Sequence, residues 1–164
     1  MEMETLHDLF IDELKDLYHA EGQLTKALPK MAKAATHPEL KKAFETHLVE
    51  TKAQIDRLEE VFKLLDEPVK GKLCHAMKGL IEETTELLGE DAANDVLDAG
   101  LIACAQRVEH YEIAGYGTVR TYAKLMGHMD VAKLLQQTLD EEGATDKKLT
   151  KLAESSINID AMSN

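Results

Sequence analysis

LYHAEGQL (residues 17–24) and VEHYEIAG (residues 108–115) decide how this chain folds. In each, apolar residues recur at three- and four-residue steps, the spacing of one face of an α-helix. In each, a glutamate interrupts that face. Leu17 and Leu24 bracket Glu21, while Val108 and Val119 bracket Glu112, with Glu109 one turn earlier on the same side. An amphipathic helix keeps glutamate off its apolar stripe, because an unpaired buried carboxylate is costly. The two stretches also align with each other, Glu21 against Glu112, and so mark a faint internal repeat of two helical hairpins.

Outward from these stretches, the same periodicity runs almost from end to end. The first segment carries Leu6, Phe10, Leu14, Leu17, Leu24 and Leu28. Thr5 suits its N-cap with Asp8 three residues on, and Pro29 predicts a kink near its end. Thr36-His37-Pro38-Glu39 breaks the pattern, with Thr36 and Glu39 at capping-box spacing and Pro38 suited to a first turn. The second segment carries Phe44, Leu48, Ile55, Leu58, Phe62 and Leu65, and stops at Asp66-Glu67-Pro68. A shorter helix follows from Lys72 to Leu88 and ends at Gly89. Asp91 can cap the next long helix, which passes Leu101, Ala105, Val108 and Val119 to about Met126, where Gly127 stops it. Asp130 opens the last helix, with Val131, Leu135, Leu139, Leu149 and Leu152, and residues 157–164 read as a frayed tail. No strand signal appears. The expected fold is all-α: a single domain over residues 1–164, built as a four-helix bundle of two antiparallel helical hairpins with a short crossover helix, the ferritin-like connectivity.

Composition narrows the function. A chain of 164 residues can bury one sizeable core, and its Ala-, Leu-, Glu- and Lys-rich make-up favours helix. The formal net charge of -12 argues against nucleic acid and against an anionic membrane surface as partners. No apolar stretch has membrane-spanning length, and MEMETLHDLFIDEL lacks the basic start of a signal peptide. Cys74 and Cys104 stand apart with no CxxC, so a structural disulfide is not expected and a reducing, cytoplasmic setting is. Neither a GxSxG nor a Gly-rich phosphate loop is present, which removes nucleophilic hydrolysis and phosphate cradling from the candidates.

The carboxylates on the apolar stripes fall at matching depths. In an antiparallel hairpin, residues equidistant from the turn lie at one level, at roughly 1.5 Å of rise per residue. With the first turn at residue 36, Glu21 lies 15 residues before it and Glu50 lies 14 after. With the second at residue 128, Glu112 lies 16 before and Glu142 lies 14 after, while Glu109 and Asp146 lie 19 before and 18 after. Any one of these would face water if its helical phase were shifted. Four helices each offering a carboxylate at one level point to a shared site. Such a cluster cannot stay ionised in a low-dielectric core without cations. Two bridged divalent ions resolve the conflict, iron first, with manganese or zinc as further candidates.

At this point a resemblance enters. AEGQL (20–24), HLVET (47–51) with Gln54, KLCHAMKGLIEE (72–83), VEHYEIAGYGT (108–118) and TLDEEGATDKKLTKLA (138–153) resemble, in order and nearly throughout, the YciE/YciF family of bacterial stress-associated ferritin-like proteins. The resemblance implies a dimetal centre, rubrerythrin-like in its metal region, and a homodimer. It matches Glu21 to the first-helix ligand, Glu50 to the second-helix bridging glutamate, Glu109 and Glu112 to an ExxE pair, and Glu142 to the bridging glutamate of the last helix. The wider superfamily has histidine three residues after its second and fourth glutamates, where this chain has Ala53 and Thr145. His47 and Asp146 are the candidate ligands in their place. Glu141, about 100° around the helix from Glu142, is expected at the surface, as are His19 and His110. Tyr18 and Tyr111 are expected to pack beside the carboxylates. Gly22, Gly100, Gly115, Gly117 and Gly143 suggest close helix approach. Two functions stay open: an oxidoreductase acting on O2 or peroxide, with an unknown redox partner, and a structural metal-binding stress protein without turnover.

Overall fold

Residues 3–163 are described by a computed structural model. Four long helices, α1 (Leu6–Ala34), α2 (Pro38–Leu64), α4 (Asn94–Leu125) and α5 (Met129–Leu152), form the bundle, and α3 (His75–Leu88) is the crossover. No strand occurs among the described residues. The all-α bundle of two hairpins expected from periodicity is the fold observed. Helices α1 and α2 pair, α4 and α5 pair, and the hairpins join through α1 against α4 and α2 against α5. Each neighbouring pair runs antiparallel.

Local signals set most boundaries. Thr5 caps α1 in a full capping box with Asp8, and α1 continues through Pro29 to Ala34. Gly127, at φ 81°, ends the α4–α5 turn in the left-handed region that glycine adopts freely. Three expectations fail, the first being the cap by Asp91, since α4 begins after Ala93 with no side-chain cap. The start of α2 has no capping box from Thr36 and Glu39; Pro38 takes the first helical turn and no side chain of α2 caps it. Instead Asp98, buried near the start of α4, accepts from the Thr36 and His37 amides at 2.9 and 2.8 Å and from the Thr36 hydroxyl at 2.6 Å. A long-range carboxylate does the work that a local box was expected to do. The described part of the expected tail, residues 157–163, is not frayed, and Asn164 lies outside the described residues. The chain passes through a π-helical turn (Ala153–Ile157) into α6 (Asn158–Met162), because Ile157 is buried against the core.

The core is divided in two. At the end holding the α1–α2 turn, Leu24, Leu28, Leu40, Phe44, Leu101 and Leu149 pack with Cys74 and Met77 of the crossover. At the opposite end, Phe10, Leu14, Leu58, Phe62, Val119 and Leu135 form a second cluster. Between them lies a layer of buried polar side chains. Beside this layer Gly115 faces the Leu17 side chain, where a Cβ would stand 2.7 Å from Leu17 Cδ2. Gly100 makes a similar approach to Leu87, whereas Gly22, Gly117 and Gly143 have open space and are not explained by helix contact.

Replacing Asp98 with alanine removes three charge-assisted hydrogen bonds and is expected to cost about 2–4 kcal/mol. Chemical denaturation of the Asp98→Ala chain measures this; a loss within experimental error of zero would show that the α1–α2 turn holds without its clamp.

Candidate metal centre

The polar layer is built by residues that share the inward phase of the four long helices. Helix α1 contributes Glu21; α2 contributes His47, Thr51 and Gln54; α4 contributes Glu109, Glu112 and Tyr116; α5 contributes Thr138 and Glu142. All are buried, Glu21, Glu112 and Glu142 completely. Ligand atoms of His47, Glu109, Glu112 and Glu142 lie within 4.8 Å of one another. His47 Nε2 is 3.2 Å from Glu109 Oε1. Glu21 lies beside Glu112 and accepts from the Tyr116 hydroxyl, while Glu109 lies beside Glu142.

Most of these atoms have no hydrogen-bond partner. Both oxygens of Glu112 and of Glu142, one each of Glu21 and Glu109, and both ring nitrogens of His47 are buried without one. Burial, and then the charge of Glu142, pushes Glu21 up to about 8. The same burial holds Glu109 and Glu112 well above the usual carboxylate range, with Glu142 again the main repelling neighbour. Without cations the layer therefore keeps protons that ordinary glutamates would release. A buried polar atom left unpaired costs about 1–3 kcal/mol, so this many orphaned acceptors in one layer fit a ligand that accepts their lone pairs. Four buried carboxylates carry four negative charges when ionised, and two divalent ions carry four positive ones. The donor set, oxygen-rich with one imidazole nitrogen, is of the kind that suits iron or manganese.

Two of the residues expected at the site lie on its flank. Glu50 is 38% exposed, accepts from Thr145 Oγ1 at 3.4 Å, and stands 3.8 Å from His47 Nδ1. Its contact with His47 holds its pKa below the ordinary value. The imidazole thus lies between two carboxylates, Glu50 at 3.8 Å from one nitrogen and Glu109 at 3.2 Å from the other. Asp146 turns toward α4, where its Oδ1 accepts from Gln106 and lies 3.2 Å from His110 Nε2. Neither belongs to the four-residue group of ligand atoms.

Other side chains hold the layer in place. Glu141, expected at the surface, is half-buried against α2, where Arg57 pairs with both its oxygens at 2.9 and 3.0 Å and Gln54 donates at 3.1 Å. Tyr18 donates to Glu59 and packs edge-on to Phe62, and Tyr111 donates to Asp16 beside the Cys74 thiol. His19 is drawn into the crossover, its Nδ1 close to Gln23 and to the Cys74 amide. Tyr116 escaped the reading of the sequence. Its position four residues after Glu112 places it one turn further along the same face, and that spacing is a signal that could have found it. Arg57 has no such signal, since a charged residue on α2 is ordinarily solvated.

The family described as domain of unknown function DUF892 matches residues 5–162. The protein YciF of Escherichia coli K12 is 50% identical over 159 residues, 96% of each chain. The crystal structure of that E. coli stress protein superposes with a TM-score of 0.92, covering 95% of this chain and 99% of the other. YcfI from Rhodopseudomonas palustris is 47% identical with a TM-score of 0.89, over 91% and 95% of the two chains. A protein of Xanthomonas campestris pv. campestris shares the fold at a TM-score of 0.75 and 21% identity, over 94% of each chain. With matching sequence, matching helices and a match along nearly its whole length, this chain belongs to the DUF892 family, the family of YciF.

Proposed function

We propose that this protein is a bacterial stress protein that binds a carboxylate-bridged pair of divalent ions, iron or manganese, in the buried layer, and that the loaded centre reduces O2 or peroxide. The observation that carries this reading is the set of orphaned acceptors on Glu21, Glu109, Glu112, Glu142 and His47, gathered from all four helices. A bound pair of reduced ions would supply two one-electron donors to such an oxidant, held by Glu21, Glu109, Glu112, Glu142 and His47. The chain's own residues bind and orient: Glu112 and Glu142 have both oxygens free to bridge, and Glu21 is held by Tyr116. Glu50 stands 3.8 Å from His47 Nδ1, and an apolar cluster lies on either side of the layer. The homodimer implied by the resemblance and a cytoplasmic location belong to the same proposal; two free, buried thiols suit a reducing compartment. Among the described residues no helix is long and apolar enough to cross a membrane.

A second reading, metal held for stability alone, is favoured by the lack of any CxxC as an electron-entry module. Loading apo protein anaerobically with ferrous ion and then adding O2 or hydrogen peroxide separates the two. Oxidant consumption supports the redox centre; uptake of about two ions per chain with no consumption leaves only the structural one. Elemental analysis showing no uptake of iron or manganese would sink both.

The buried charge gives two further tests. Glu112→Gln is expected to leave metal-free stability at about pH 8 unchanged or raised, because folding no longer requires this buried carboxyl to take up a proton, while lowering metal affinity by about 10-fold or more. Parallel melting and metal titration check these opposite signs.

The pH dependence has a definite direction. Folded, metal-free Glu21 titrates near 8, against 4.5 for the ordinary group. Between those values the folded chain keeps a proton that the unfolded chain has lost. This contribution to stability is therefore fully present below the unfolded value and is lost as pH rises through the folded one. Glu109 and Glu112 act in the same direction. Coordinating carboxylates must be ionised, so metal affinity rises with pH. The Tm of metal-free protein is thus expected to fall from about pH 5 to about pH 8.5, while the gain in Tm on adding metal grows over the same range. A metal-free Tm that rises with pH would contradict the protonated layer.

A further inference from the structure

Beside the carboxylate layer, on the side of the α1–α2 turn, the four long helices leave a cavity of about 110 Å³. Its walls are mainly apolar, with Leu24, Leu28, Met31, Phe44, Val108 and Leu149 facing it. His47 and Glu109 line it where it meets the layer, both buried, and Glu109 Oε2 and the His47 ring nitrogens make no hydrogen bond. Exposed Ala144 and Lys148 also line it, so it opens to solvent between α2 and α5.

Protein cores close-pack, and an alanine-to-leucine change at Ala43 or Ala105, which both line the space, would fill much of it. The cavity is thus a feature of these side chains rather than of the backbone. Water is a poor occupant of the part lined by Leu24, Leu28, Met31, Phe44, Val108 and Leu149, because an ordered water needs two to four polar partners and these side chains offer none. An apolar molecule is a good one. A hydrocarbon-lined cavity of about 150 Å³ takes up benzene, so this one suits a molecule of about four or five heavy atoms. Thr46, Glu50, Thr145 and Lys148 also line it, but the buried polar atoms left unpaired are those of His47 and Glu109, and they select for an oxygen function at one end of that molecule.

We propose that this cavity binds a short aliphatic molecule with a terminal oxygen function, its chain among Leu24, Phe44 and Leu149 and its oxygen toward His47 and Glu109. Short alcohols and alkyl hydroperoxides form this class. What the oxygen meets there rests on the metal centre proposed above; entry of the chain into the cavity does not.

The test uses the full chain, metal-free and metal-loaded, with 1-butanol as probe and the methionine and alanine methyl groups as NMR reporters. Saturable shifts at Met31, Ala43 and Ala105 are expected, with 1-chlorobutane binding several-fold more weakly. Ala43→Leu is expected to weaken 1-butanol by about tenfold through overfilling the space, with metal content unchanged. Met31→Ala enlarges the cavity and is expected to shift preference toward 1-hexanol, which keeps the proposal open to refutation should the first variant fail to fold. Non-saturable shifts, shifts scattered over the surface, equal affinity for the chloroalkane, or indifference to both variants would overturn it. Butanol binding to a chain that takes up no metal would refute the metal centre and leave this site standing; metal uptake without butanol binding would do the reverse.

Discussion

Four carboxylates crowd one water-poor layer between two apolar cores, and they cannot all be ionised there unless positive charge joins them. The cost is set by desolvation, which no choice of rotamer removes. In the absence of cations the layer retains protons, as the raised pKa values of Glu21, Glu109 and Glu112 record. A chain that spends stability in this way must recover it elsewhere. The apolar clusters on both sides, each spanning all four long helices, are where it does so.

The rest of the frame keeps the layer from collapsing or opening. Asp98 ties the α1–α2 turn to α4 across the two hairpins. Arg57 and Gln54 tie α2 to Glu141 of α5 beside the layer itself. The crossover is anchored to α1 through Lys72 on Asp12 and through Gln23 on the Cys74 carbonyl. These contacts join different helices, so each restrains the spacing on which the carboxylate geometry depends. At Gly115 a Cβ would meet the end of the Leu17 side chain, so glycine there leaves that buried leucine its place beside the layer.

The layer is asymmetric. Helix α4 supplies two glutamates, while α2 supplies an imidazole where a carboxylate was expected. The imidazole also borders the apolar cavity, so the side of the layer nearest the α1–α2 turn differs chemically from the opposite side, where Tyr116 meets Glu21. Any small molecule reaching the layer through that cavity meets His47 and Glu109 first. The opposite approach is closed by packed aromatic and aliphatic side chains, among them Phe10, Phe62 and Tyr116.

Periodicity alone determined the all-α class, the two hairpins, the crossover and the inward placement of Glu21, Glu109, Glu112 and Glu142. In α1, α4 and α5 an apolar stripe runs over many turns on both sides of these residues, and so defines their phase. In α2 the buried face carries His47, Thr51 and Gln54 in its middle, and hydropathy cannot mark a face that is itself polar. The level of Glu50 was readable from the hairpin, but its direction was not, and it lies about 100° around the helix from Thr51. Asp146 was likewise at the right depth and turned instead to Gln106 and His110. Depth along a helix follows from counting residues. Which polar side chain points inward is decided by the partners that the other helices present, and those exist only once the bundle has formed.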